Sequence, residues 1–383
     1  MAYRVMQVDV AIIGAGIAGA SLAAYLPESV RTIILEAEAQ PGYHTTGRSA
    51  AFYSETYGGP EVQPLTTASK DWFFSTLAPG ESNALMVTRQ GALHVGWEVP
   101  ESALSSFAAP LRTLCPNIDI IDADACLEKC AALNREGLVG GVWDPDSCDI
   151  DVAAVHRTFL GLAKTNGHSR VCDFQVSALE RRNGLWHITS SRGDTVSAAL
   201  LGKAAGAWSD EIGHLAGAPP LGLAPLRRTI GLFDVKGMAI SPDLPLTLDL
   251  DERFYFKEQS GHLLVSPADE IPSPPCDAQP AMEEIALAAH RVEGRTHYQL
   301  TKCPARWAGL RTFAPDRAPV YGFDPIVEGF FWCAGQGGFG IQTAPAAGQL
   351  AAALVLQTEL PPSFETLGIT SSRYAPRRFA AAA

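Results

Sequence analysis

The run Gly14-Ala15-Gly16-Ile17-Ala18-Gly19 constrains this chain more than any other stretch. It is a G-x-G-x-x-G set between an apolar run of strand length, Gln7 to Ile13, and a segment of helical spacing, Ile17 to Leu26. A second β-branched run, Arg31 to Leu35, ends at Glu36 and completes a βαβ unit. In such a unit Gly14 permits the tight turn, Gly16 lets the backbone approach a pyrophosphate, and Gly19 lets the helix pack against the strand. The free amides at the helix start then face the anion. Glu36, about 20 residues beyond the glycines, is placed to accept hydrogen bonds from an adenosine ribose. The pattern predicts a bound dinucleotide but does not separate FAD from NAD, and a glycine turn without ligand is its alternative.

At 383 residues, 47% hydrophobic and 18% charged, the chain can bury the cores of two interwoven domains. A net charge of -12 gives a field that repels nucleic acid and anionic lipid, so neither is an expected partner. The nearest pair of the eight cysteines, Cys126 and Cys130, has neither redox nor zinc spacing, so reduced thiols and no metal are expected. Val8 to Leu26 is apolar but lacks a basic leader and carries the glycine turn, so it reads as fold and not as a signal or a span. The expected location is cytoplasmic, with no transmembrane segment and a peripheral contact at the inner membrane left open. The tail Pro376-Arg377-Arg378-Phe379 and its alanines read as a frayed end.

Ala39 to Gly59 is a polar, glycine-bearing segment too long for a simple connection, and such loops usually serve ligands. Gln175 to Ser191 predicts a hairpin turning at Asn183-Gly184. Thr229 to Asp234, Leu244 to Phe256 and His262 to Val265 predict a second, mostly antiparallel sheet, and Ile271 to Pro280 an exposed loop before a helix at Met282 to Val292. Gly329 to Ala334 reads as a strand entering Gly335-Gln336-Gly337-Gly338-Phe339-Gly340, with a helix at Pro345 to Leu356. The expected fold is α/β.

Four blocks carry a resemblance: AQPGYHTTGRSAA at Ala39 to Ala51, Ala204 to Ser209, Trp307 to Arg311, and Gly335 to Gln342. In this order they resemble the D-amino acid oxidase-like FAD oxidoreductases over nearly the whole chain, and AQPGYHTTGRSAA is similar to bacterial D-arginine dehydrogenases. The resemblance implies a Rossmann-like FAD-binding domain (1–86, 143–210 and 320–383) interwoven with a mostly antiparallel β-sheet substrate domain (87–142 and 211–319). It implies FAD, held by the glycine turn with Glu36 and Ala37, by Gly42, His44, Thr46, Arg48, Ser49, Ala50 and Ala51, and by Val176, Ala205, Gly206 and Trp208. Gly309, Gly337, Gly338, Phe339, Gly340, Ile341 and Gln342 would lie along the flavin, where backbone amides can stabilise negative charge. The position of the flavin-linking cysteine of monomeric sarcosine oxidases aligns with Gly309, so the FAD is expected to be non-covalent.

The chemistry implied is oxidative deamination of a small amino acid by hydride transfer from Cα to flavin N5. The imino acid formed hydrolyses to a 2-oxo acid and ammonia, and the electrons pass to a quinone, another carrier or O2. Arg311, in an apolar stretch where a guanidinium is costly unless it meets an anion, is the expected carboxylate clamp, with Tyr255 beside it. Arg228 and Tyr57 align with further pocket residues, and the Gly338 carbonyl would accept from the substrate amine. For each arginine an internal carboxylate is the alternative partner; for each tyrosine, a core role. His44 is a candidate base, but its place in the flavin loop favours a structural hydrogen bond. Two positions depart from the D-arginine dehydrogenases: Gly91 where they present a glutamate to the guanidinium, and Phe52 where they have a histidine. Both point to a neutral or hydrophobic D-amino acid, or a glycine- or sarcosine-type N-substituted one. A flavin-dependent 2-hydroxy acid or glycerol-phosphate dehydrogenase, an NAD-linked enzyme and a non-catalytic flavoprotein are the competing readings.

Overall fold

A computed structural model describes residues 6–78, 80, 85–113 and 115–382; the expected FAD domain's outermost residues, 1–5 and 383, lie outside it. The predicted βαβ unit is formed by strand Met6–Ile13, helix Ile17–Tyr25 and strand Thr32–Leu35, the strands pairing in parallel from Val10↔Thr32 to Ile13↔Leu35. Gly14 turns with φ +101, and a Cβ there would meet the Ala204 carbonyl oxygen at 2.4 Å. A Cβ on Gly19 would lie 2.0 Å from the Gly14 carbonyl oxygen, so helix and turn close on one another only with glycine at both positions.

This unit sits in an eight-stranded sheet of order Val176–Arg182, Leu185–Ser190, Thr195–Lys203, Met6–Ile13, Thr32–Leu35, Ser169–Val171, with Phe330–Ala334 also joined to Thr195–Lys203 and Val320–Phe323 to Phe330–Ala334. The hairpin turns at Asn183 and Gly184, both with positive φ, as the dipeptide predicts. Helix Ile17–Tyr25 is apolar on almost every side because it lies between helix Gly340–Leu356 and helix Val152–Thr165. Gly348 allows the first of these contacts: a Cβ there would be 2.8 Å from the Ser21 carbonyl oxygen.

A ten-stranded, mostly antiparallel sheet follows the order Gln336–Gly337, Ala305–Phe313, Ala224–Phe233, His262–Ser266, Tyr255–Gln259, Leu246–Asp249, Ala92–Trp97, Leu138–Asp144, Asp119–Asp122, with Ile271–Pro272 on Ala224–Phe233. One pair, Leu246–Asp249 with Ala92–Trp97, is parallel. Helix Met282–Glu293 covers a core built around Phe254, Phe256, Leu263 and Val265. The long pairing of Ala224–Phe233 with Ala305–Phe313 sets Arg228 opposite Gly309 and Leu226 opposite Arg311.

Within Leu244 to Phe256, two of the short strands of this sheet flank a turn in which Asp249 accepts from both the backbone and the guanidinium of Arg253. The structure corrects two local expectations. The last long helix begins at Gly340 and carries Pro345 inside it, not near its start. The tail forms a 3-10 helix, Pro376–Ala382, docked by Arg378 on Asp316 and on the carbonyls of Ala318 and Pro319. Helix Val152–Thr165, capped by the Asp151 carboxylate on the Ala154 amide, lay outside the sequence reading. Among the described residues, no helix is long and apolar enough to cross a membrane.

Candidate active site

A cavity open to solvent at its mouth, about 1360 Å³ with the solvent-open space included, is lined from both sheets and from residues 45–57. Gly16, Ile17, Ala18, Thr46, Ser49, Ala50, Ala51, Ala204 and Gly206 line one end. The Thr46 hydroxyl accepts from the Ile17 amide at 3.0 Å, and Gly16, at the helix N-cap, has no side-chain cap of its own. Glu36 is buried and pins the turn: its carboxylate accepts from the Ala15 amide at 2.7 Å and the Glu38 amide at 3.0 Å. The carbonyl of Ala15 is held in turn by His156 Nε2 at 2.8 Å. Burial keeps His156 below the ordinary histidine range, and the neutral ring donates that bond.

The loop between the sheets is tied down on its outer side. Arg48 lines the cavity while its guanidinium pairs with Asp277 and donates to the carbonyls of Ala278 and Ala308. His44 Nε2 lies 2.9 Å from Glu38 and its ring packs on Trp208, the structural bond that the loop position favours over a base. Neither His44 nor Trp208 lines the cavity; nor do Gly14, Gly19, Glu36, Ala37, Gly42, Ala205, Val176 and Phe339. Gly42 is packed against His156, and Val176 starts the hairpin that the Phe174 amide joins to the Glu36 carbonyl. Gly14 and Gly19 act through the turn, where a side chain would collide with the carbonyls of Ala204 and Gly14. Together the glycine cradle, the helix start that faces the cavity and the polar loop suit a dinucleotide.

Toward the other sheet, Gly309, Gly337, Gly338, Gly340, Ile341 and Gln342 line the cavity. The Gln342 side chain is fully engaged: Oε1 accepts from the Ser54 amide at 3.3 Å, and Nε2 donates to the Tyr57 carbonyl at 3.2 Å and to Thr66 Oγ1 at 3.0 Å. It joins the start of helix Gly340–Leu356 to the loop carrying Tyr57. Gly309 brings no nucleophile to the wall, and neither Cys303 nor Cys333 reaches it.

Arg311, Arg228, Tyr57, Tyr255, Gly338 and Phe52 come together in the same cavity. Arg311 is 8% exposed; its Nη2 donates to the Tyr57 hydroxyl at 2.7 Å and its Nη1 to Glu270 at 3.0 Å. Phe313 and Phe339 flank it, their ring centroids 5.2 and 5.7 Å from its Cζ. Arg228 donates from Nε to the Asp269 carbonyl at 2.7 Å and lies 3.4 Å from Glu270. Burial works against the charge on Arg228, but Tyr255, Tyr57, Asp269 and Glu270 raise its affinity for the proton above the ordinary value. The internal carboxylate weighed as an alternative partner for both arginines is therefore present, and it is Glu270. Sequence reasoning missed it, since it immediately precedes a stretch read as exposed loop. Ile230 and Leu248, on strands the apolar patterning had marked, and Glu252 and Phe254, in the turn before Tyr255, also line the wall unforeseen.

The structure does not bring Gly91 to this cavity. A Cβ on Gly91 would lie 2.0 Å from the Trp143 ring, and its backbone borders a separate narrow crevice behind Phe52 that has no room for a water molecule. Phe52 belongs to both walls, and the buried ion pair of Lys257 with Asp149 stands on the far side.

A glycine cradle on a sheet whose central strands run parallel, joined across one cavity to a mostly antiparallel sheet bearing a buried arginine, is an architecture that flavin oxidoreductases use. The chain matches the DAO family, FAD dependent oxidoreductase, over residues 9–354 and belongs to it. It is 22% identical to FAD-dependent oxidoreductase domain-containing protein 1 of Xenopus laevis, over 97% of this chain and 83% of that protein. It is 29% identical to the glycine oxidase of Bacillus licheniformis over 58% of each chain. Its fold matches L-proline dehydrogenase from P. horikoshii with a TM-score of 0.82 at 18% identity, covering 99% of both chains.

Proposed function

We propose that this FAD-dependent enzyme oxidises the carbon–nitrogen bond of a small amino acid with an uncharged side chain. A neutral or hydrophobic D-amino acid is the first candidate, and glycine or an N-substituted relative the second. The observation that carries the reading is the buried guanidinium of Arg311, with Tyr57 on it and Tyr255 lining the same cavity, beside the apolar side chains of Phe52, Ile230, Leu248 and Phe254 and one carboxylate, Glu252. A buried arginine at a cavity wall suits a carboxylate, and the apolar surface beside it suits a side chain without charge. The D preference rests on the likeness of Ala39 to Ala51 to the D-arginine dehydrogenases; the glycine candidate draws on the glycine oxidase of Bacillus licheniformis.

When bound, FAD supplies the two-electron acceptor for the hydride that leaves Cα. The chain's own residues orient that carbon: Arg311 and Tyr255 hold the carboxylate, Arg228 and Tyr57 steady them, and the Gly338 carbonyl accepts from the amine. Water hydrolyses the released imino acid to a 2-oxo acid and ammonia. No protein base is assigned: the substrate reacts with its amine neutral, the ammonium proton having passed to solvent, and His44 is engaged by Glu38 and does not line the cavity. The two sheets are read as the centres of the interwoven FAD and substrate domains, and O2, a quinone or another carrier takes the electrons.

The test mixes the FAD-loaded protein anaerobically with D- and L-amino acids, N-methyl amino acids and 2-hydroxy acids, and follows the flavin absorbance. Bleaching by neutral D-amino acids or glycine, lost in Arg311→Met, is expected; bleaching by 2-hydroxy acids alone would overturn the amine assignment.

A further inference from the structure

Three guanidiniums share one carboxylate at the rim of the candidate site. Glu270 Oε1 accepts from Arg317 Nη2 at 2.9 Å and Arg311 Nη1 at 3.0 Å, with Arg228 Nη2 at 3.4 Å, and Oε2 accepts from Arg317 Nη1 at 3.1 Å. Arg311 and Arg228 line the cavity; Arg317 does not, and comes from the solvent side, seated on the Phe313 ring at 3.9 Å. The neighbouring Asp269 carboxylate accepts from the Thr229 amide at 2.7 Å and hydroxyl at 2.9 Å. Glu252 lines the cavity from the turn that precedes Tyr255, and no cation among the described residues pairs with it.

The cations Arg228, Arg311 and Arg317 thus meet the anions Glu270 and Asp269 just behind the wall and Glu252 on it, and this cluster is balanced before a ligand arrives. A zwitterion with one carboxylate and one ammonium preserves that balance. A second carboxylate would add a like charge close to Glu252 on the wall and Glu270 behind it, with each of the three guanidiniums already matched. Glu270 remains ionised through this: burial alone would raise its pKa, but the hydrogen bonds from Arg317 and the charges of Arg311, Arg317 and Arg228 hold it below the usual carboxylate range.

We propose that Glu270 sets the charge class of the substrate, acting as the built-in counter-ion of the arginine clamp that admits one carboxylate and rejects a dicarboxylate. This rests on the reading that Arg311 binds the substrate carboxylate.

The experiment compares propionate with malonate, which are close in size, both malonate carboxyls being ionised. Their dissociation constants are measured by calorimetry on the FAD-loaded protein. Glu270→Gln is expected to raise the malonate-to-propionate affinity ratio about tenfold or more, since one like charge at close range is removed. Any loss from a less ordered clamp weakens both ligands and cancels in the ratio. Arg317→Gln removes a cation of the same cluster without altering the cavity wall and is expected to lower the ratio; it carries the test if the Glu270 variant does not hold FAD. Ratios within about twofold of the parent in the variants would overturn the proposal. Arg311→Met separates the two readings: unchanged binding of both acids in that variant shows that the clamp assignment has failed, whereas loss of both with an unmoved ratio in Glu270→Gln refutes Glu270 alone.

Discussion

The guanidinium of Arg311 occupies the space that a side chain on residue 338 would fill: a Cβ built on Gly338 would sit 2.1 Å from Nη2 and 2.2 Å from Nε. The glycine turn and the clamp are therefore one arrangement, and Arg311 keeps its place only because residue 338 has no Cβ. Gly338→Ala is expected to push Arg311 off Tyr57 and Glu270 and to lower kcat/KM for the amino acid about a hundredfold, close to 3 kcal/mol of lost stabilisation. Steady-state kinetics with a thermal melt check this. A variant within threefold of the parent would show that the guanidinium's position does not matter.

Phe52 stands between the main cavity and the space bordered by Gly91, Lys257 and Asp149. Phe52→Ala is expected to join the two and move the preference toward longer side chains, about tenfold in relative kcat/KM, in line with the roughly 1–3 kcal/mol that a methylene-scale pocket change is worth. A series of D-amino acids of increasing length reads this out, and an unchanged length profile would show that Phe52 is not the end wall.

Gln342 is 2% exposed and bonds the Ser54 amide and the Tyr57 carbonyl. Gln342→Leu leaves both buried groups unmatched, which costs about 1–3 kcal/mol each, so a loss of several kcal/mol is expected. Urea unfolding measures it, and hydrogen exchange at residues 54–57 should rise in parallel. Normal protection of those amides would place the effect elsewhere.

His94 lies buried beside Thr56 and Phe107, and burial pushes its pKa down to about 4 from an ordinary 6.5. The unfolded chain therefore takes up this proton before the folded one does. The contribution is complete above the unfolded value and is lost as pH falls toward about 4, reaching roughly 3 kcal/mol. Urea midpoints between about pH 7 and about pH 5 should fall less steeply in His94→Gln than in the parent. Parallel slopes would mean that His94 does not supply this term.

Much of this was legible in the residues. The glycine cradle and the hairpin at Asn183-Gly184 were, because each depends on a backbone conformation that few residues tolerate. Arg311 and Tyr255 stood out as a guanidinium and a phenol in apolar strands. Gly91 was misjudged, since a glycine shows where a side chain is missing but not which space it faces; here Trp143 fills that space.

By itself, the sequence determined the βαβ unit, the dinucleotide cradle and the residue types available to hold an amino acid, all of which follow from short-range patterning. Only the tertiary structure decided that Glu270, 41 residues before Arg311, would share its guanidinium, that Gln342 would hold the loop of Tyr57 across 285 residues, and that Phe52 would stand between the main cavity and the crevice beside Gly91. A side chain's partner across two packed sheets depends on how long pairings register and where buried polar groups must be satisfied, and no local spacing carries that information.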